Sequence, residues 1–229
     1  MRLILFIALL IPSIANAQEK KGVEHTCRIV FLNGPDAAPT EAYLFDGTKS
    51  AKVELSRMNL SPVYKLPAGP LKLKMLSKPI TDPKELPKGA PTVNIPANLT
   101  DFYLLVISNP KNKVIPVRLL VINANANRVK RGQMLWYNLT QKTISGNIGK
   151  HKAHLKPGNH QVIEEPVTGK KNYPVTLQFT IPGDDFVHPL CETQWRHDPR
   201  SRSIVFVVSG KNRRAPRVLA FPDFRIPAK

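Results

Sequence analysis

The chain has little of several things, and each shortage excludes a class of protein. Only two cysteines occur in 229 residues, Cys27 and Cys191, so at most one intramolecular bridge can form. No Ser or Cys sits in a Gly-flanked G-x-S-x-G elbow, and neither a phosphate-binding loop nor a dinucleotide fingerprint is present. No window sustains helical spacing between caps. Beyond the first 17 residues no apolar run is long enough to cross a bilayer as a helix. Acidic residues are scarce, 16 Asp+Glu against 34 Lys+Arg, for a formal charge of +18.

What is present begins with a leader. In MRLILFIALLIPSIANA, Arg2 is the only charge, Leu3 to Ile11 form an apolar core, and Ala15-Asn16-Ala17 offers small residues for cleavage. Residues 1–17 are therefore expected to be a signal peptide removed after Ala17, which exports the chain to the periplasm or the extracellular space. No cysteine follows the cleavage site, so a lipid anchor is not expected.

The 22 prolines, spread between short apolar runs, favour strands joined by many turns. Strict alternation marks half-buried strands at Val53 and Leu55, at Leu71, Leu73 and Met75, and at Val175, Leu177, Phe179 and Ile181. The continuous runs Phe102 to Ile107 and Ile204 to Val208 read as central strands buried on both faces. Asp46-Gly47, Ala68-Gly69, Pro157-Gly158 and Asp198-Pro199 supply turns between them. The Pro-rich stretch Lys78 to Pro91 reads as a long loop. The expected fold is all-β, two immunoglobulin-like β-sandwiches in tandem.

Three landmarks recur in order. Arg28 to Asn33 matches Arg118 to Asn123, Leu66 to Gly69 matches Leu155 to Gly158, and Tyr103 to Ser108 matches Ile204 to Ser209. A Pro-started strand follows each closing strand, at Pro116 and at Pro216. The division is placed at 112/113, giving domains 18–112 and 113–229, docked end to end because the connection is short.

Chemistry is hard to find. His188, Cys191, His197 and Asp198 could ligate a metal, but nothing in their spacing holds three donors on one face. The carboxylate pairs Glu164-Glu165 and Asp184-Asp185 are adjacent in sequence, and on a strand such neighbours point apart. No catalytic residue, cofactor or metal is assigned, and the chain is read as not an enzyme. Trp136 is expected in a core, while Trp195 suits a core or an exposed platform equally. Cys27 and Cys191 leave two readings open: a bridge clamping the two halves, or two small apolar residues in separate cores.

Basic charge is the feature that stands out. Residues 18–112 carry 13 basic and 9 acidic side chains, residues 113–229 carry 20 and 7. The excess gathers in three clusters: Arg128, Lys130 and Arg131; Arg196, Arg200 and Arg202; Lys211, Arg213, Arg214 and Arg217. The last two flank one strand of about 3.3 Å per residue, so they stand roughly 20 Å apart. They can share only an extended anion, held by charge and without sequence-specific nucleic-acid contacts.

Asn33 to Pro39, Ala42 to Gly47 and Leu66 to Gly69 together resemble the immunoglobulin-like repeats, often in tandem, of bacterial exported proteins of unknown function. Pro189 to Glu192 and Trp195 to Arg200 are similar to exported proteins of planctomycete and verrucomicrobial type. The resemblance implies a fold and a compartment and no activity; the one-sided basic charge points to an envelope polyanion or envelope protein as partner. A second resemblance, to periplasmic pilus chaperones, would give Arg28 the role of their early basic residue and Val114 to Ile122 that of the strand used in strand addition. The aromatic-basic-Pro ending of that strand is absent, since Val121-Ile122-Asn123-Ala124 stands there.

Overall fold

The computed structural model describes residues 22–35, 38–184, 186–210 and 215–225. The expected signal peptide, and Lys211, Arg213 and Arg214, lie outside them. Strands occupy 51% of the described residues, and among these the only helical turn is the short 3-10 segment Pro83–Glu85 inside the Pro-rich loop.

Among the described residues sixteen strands follow in order. The first eight are β1 (His25–Leu32), β2 (Glu41–Phe45), β3 (Ser50–Glu54), β4 (Tyr64–Leu66), β5 (Leu71–Leu76), β6 (Thr92–Ile95), β7 (Asp101–Ser108) and β8 (Val117–Asn123). The second eight are β9 (Met134–Asn138), β10 (Thr143–Ile148), β11 (His151–Leu155), β12 (His160–Ile163), β13 (Asn172–Thr180), β14 (Val187–Arg196), β15 (Arg202–Ser209) and β16 (Pro216–Asp223). They form four sheets of four, ordered β4-β1-β7-β8, β3-β2-β5-β6, β12-β9-β15-β16 and β11-β10-β13-β14. The second pair of sheets repeats the order of the first, eight strands on. In both, the first strand lies parallel to the seventh, β1 beside β7 and β9 beside β15.

The chain is thus all-β with two sandwiches, as expected. Its strand allocation is its own: an immunoglobulin constant domain places its second and fifth strands in the sheet of its first and fourth, whereas here the second and fifth lie in the other sheet. A division at 112/113 would cut the β7–β8 hairpin, in which Ser108 pairs with Val117; by pairing, the first unit runs through β8 and the second begins at β9. The same pairing separates two of the three sequence landmarks. Arg28 lies in β1 but Arg118 in β8, and Leu66 ends β4 but Leu155 ends β11. Only Tyr103 to Ser108 and Ile204 to Ser209 fall on equivalent strands, β7 and β15.

Three apolar cores explain the layering. One, between the two sheets of the first unit, holds Cys27, Ile29 and Phe31 of β1 against Leu44, Leu73 and Met75. Its counterpart in the second unit holds Trp136, Val205 and Val207 against Ile144, Val175 and Leu177. The remaining core joins the units, packing Val30, Leu32, Tyr103 and Leu105 against Leu135, Ile204, Phe206 and Phe221. The sheets therefore stack as four layers, and the two inner sheets are covered on both sides. A strand in such a sheet needs apolar residues at every position, which is why β7 and β15 read as unbroken runs. The outer β13 keeps the strict alternation of a half-buried strand, with Tyr173, Val175, Leu177 and Phe179 inward. Beside it Gly146 has φ 143, and a Cβ there would stand 2.0 Å from the Thr176 carbonyl oxygen, so only glycine lets β10 and β13 approach.

Candidate functional site

The sequence groups Arg196, Arg200 and Arg202 in one surface cluster, and the structure separates Arg202 from the other two. Arg202 opens β15 with its side chain fully buried in the layer between the two units. Its Nη2 donates to Asp101 Oδ2 at 2.5 Å, Nε to Asp223 Oδ2 at 3.4 Å, and Nη1 to the carbonyls of Ala124 and Val129. Arg225 reaches the same two carboxylates, Nη1 standing 2.8 Å from Asp101 Oδ1 and Nε 2.8 Å from Asp223 Oδ2. Arg28 donates from Nη1 to Asp223 Oδ1 at 2.9 Å, and the Tyr103 hydroxyl to Asp223 Oδ2 at 2.7 Å. Three guanidiniums thus share two carboxylates, with the Tyr103 ring face 5.5 Å from the guanidinium carbon of Arg202 and 5.1 Å from that of Arg225.

Burial alone would raise the Asp223 carboxyl, but Arg225, the Tyr103 hydroxyl and Arg202 outweigh it and hold the group below its ordinary value. Burial likewise opposes the charge on Arg202, and Tyr103, Asp101 and Asp223 overcome it. A group so enclosed cannot meet a polyanion, so Arg202 leaves the binding set and becomes part of the joint between units.

The other cations gather where loops of the second unit meet. Gly132 N donates to Ser201 O at 2.7 Å, Gln133 Nε2 to Glu164 Oε2 at 2.6 Å, and His197 N to Lys171 O at 2.8 Å. Lys150 N donates to Pro166 O at 3.3 Å. These bonds tie four segments together at one end of the sandwich, bringing Lys130, Arg131, Lys150, Lys170, Lys171, Arg196 and Arg200 around three carboxylates, Glu164, Glu165 and Asp198. Lys150, Lys170 and Lys171 have no counterpart in the sequence expectation. They sit alone or in a pair, too sparse to register as a run, and the fold collects them.

Two depressions lie here with Tyr173 between them. One, of about 220 Å³, is lined by Gln133, Met134, Lys170, Arg196, His197, Asp198 and Phe224 among others. The wider one, of about 450 Å³, is lined by Lys150, Val167, Lys171 and Asn172. Asp198 accepts from Arg200 Nε and Nη2 at 3.0 and 2.7 Å and stands 3.5 Å from Lys170 Nζ. The hydrogen bonds from Arg200 keep this carboxyl well below the usual carboxylate range, so Arg200 is the cation that Asp198 neutralises, and Lys170 is only its distant second partner. Burial pushes the Tyr173 hydroxyl up to about 12, so the wall between the depressions is an uncharged phenol.

Arg128 and Arg217 stand elsewhere. Arg128 meets Nε2 of His160, whose ring stacks on Tyr137; burial first, then the Arg128 charge, lower the His160 pKa. Arg217 pairs in register with Val208, near the far end of β15 from Arg202.

Cys27 and Cys191 are both free. Cys27 is enclosed in the first unit's core, where burial raises its thiol to about 12, whereas Cys191 packs on the second unit's core from β14. The shared middle core and both inner sheets lie between, so the bridge does not form and the alternative of separate cores holds. Trp195 stacks on buried Trp136 with centroids 5.6 Å apart and planes 10° from parallel, so the pair is spent on packing. His188 turns to Asp184 at 3.1 Å and His197 to Glu165 at 3.3 Å. Among the described residues no three His, Cys, Asp or Glu side chains group as metal ligands, and no helix is long and apolar enough to cross a membrane.

No protein-family model matches this chain, and no curated protein matches it at significance.

Proposed function

We propose that the chain is an exported, non-catalytic binding module of the cell envelope, which uses the basic end of its second sandwich to hold an anionic polymer. The observation that carries this reading is the convergence of seven cations from four separate loop segments around three carboxylates. Charges scattered for solubility have no reason to converge, and here the backbone bonds of the loops place them on one end. Each cation is exposed to solvent at this one end, so a flexible polyanion meets several of them together and releases counterions as it docks. The leader-like residues 1–17 support export. The recurrence of strand order supports descent of the two units from one duplicated sandwich.

The strand-addition alternative has weaker support. Val117, Leu119 and Val121, the alternating residues of β8 that a chaperone would offer, already pack on the first unit's own core.

The test is retention of the chain starting at Gln18 on immobilised heparin and polygalacturonate across a salt series. Binding should fall linearly on a log–log plot, and Lys170→Ala with Lys171→Ala and Arg196→Ala should flatten the slope by about two to three. Absence of retention at low salt, or retention that survives molar salt, would overturn the proposal.

A further inference from the structure

We infer that the smaller depression is a subsite for a single carboxylate-bearing sugar ring, a hexuronate residue of an acidic polysaccharide; this rests on the binding-module reading and names the ligand of the same end. Two independent observations meet there. The first is the chemistry of the lining: Lys170 and Arg196 supply cations, Gln133 and Ser203 supply neutral polar groups, and the Asp198 carboxylate is balanced by Arg200, in a hollow of about 220 Å³. Pockets for drug-sized ligands run from about 300 Å³ upward, so one ring is the fitting size.

The second observation is Phe224. Its side chain is 54% exposed, which by itself is ordinary for an isolated apolar residue. Its neighbours are not ordinary. Asp223 is fully buried and Arg225 nearly so, both locked into the charge network between the units, and Arg225 N donates to Asp223 Oδ1 at 3.2 Å. Buried anchors on either side hold the backbone and leave the phenyl ring presented at the mouth of the hollow. A backbone fixed in advance binds without the ordering cost of a mobile loop. An aromatic face suits the C–H face of a pyranose, and cations opposite suit its carboxylate. Phosphate chains and nucleic-acid backbones would use the cations and leave Phe224 idle.

The experiment compares trigalacturonate with tripolyphosphate and neutral maltotriose by calorimetry on the chain starting at Gln18, at physiological salt. Trigalacturonate is expected to bind best. Phe224→Ala should weaken trigalacturonate by roughly three- to tenfold, the scale of one aromatic contact, and leave tripolyphosphate unchanged. Phe224→Tyr should keep the preference, and Arg196→Gln should weaken both anions. If tripolyphosphate binds as well as trigalacturonate, if Phe224→Ala is silent, or if it weakens both anions alike, the subsite is overturned while the polyanion module stands. If no anion binds and the polymers are not retained either, both readings fall.

Discussion

The molecule carries two arginine-rich clusters a few residues apart in sequence and opposite in character. Around Arg202 the guanidiniums are enclosed, each matched to a carboxylate or a carbonyl, and they join two sandwiches. Around Arg196 and Lys170 the cations are open to water and outnumber their carboxylates. Sequence spacing treats Arg196, Arg200 and Arg202 alike. What separates them is where β15 begins: Arg202 is its first residue, as Asp101 is the first of β7, and the two central strands meet face to face across the joint. A charge is structural when a strand carries it between layers, and available when it stands at or beyond the strand ends, as Arg196 does at the close of β14.

The sharpest way to break this comparison is to remove a buried member. Arg202→Ala leaves Asp101 and Asp223 short of a cation inside the joint, and should cost about 3–5 kcal/mol in urea unfolding, whereas Arg196→Ala should stay within about 0.5 kcal/mol. Equal costs would mean the two clusters do not differ as described. A smaller effect comes from acid. Asp223 is held below its unfolded-state pKa of 3.8, so its contribution is full above about pH 4 and is lost as pH falls through the folded value. Stability measured from pH 5 to pH 2 should drop more steeply for the native chain than for Asp223→Asn; parallel curves would refute the assignment. The smallest effect is none: reductant should leave the melting temperature unchanged, and the denatured, unreduced chain should titrate two thiols. A titre of no thiols, with a melting temperature that falls on reduction, would restore the bridge.

Much of the fold was legible because burial on one face or two writes different patterns. The alternation of Val175, Leu177 and Phe179 marked an outer sheet, and the runs at Phe102 and Ile204 marked inner ones, all of which the structure contains. Gly47, Gly69 and Gly158 take positive φ in the turns anticipated for them. The repeat was only partly legible. Short apolar strands resemble one another, so Arg28 to Asn33 found a match in β8 when pairing equates β1 with β9. The basic end was half legible, since Arg196, Lys130 and Arg131 stood out as runs while Lys150, Lys170 and Lys171 depend on which loops the sheets bring together. The burial of Arg202 had no local signal, because its partners Asp101 and Asp223 lie 101 and 21 residues away.

The parallel pairing of β1 with β7 also sets an order of events in time. Thr26 lies opposite Asp101, so the opening strand of the first unit stays unpaired on that side until the seventh has emerged, and β9 waits in the same way for β15. Local hairpins such as β2–β3 and β10–β11 can close early, within microseconds, but neither sandwich can shut before its last quarter exists. The joint between the units needs Arg202, Asp223 and Arg225, all near the C-terminal end, and so it closes last. A chain built this way cannot complete either sandwich, or the joint between them, from its early strands alone.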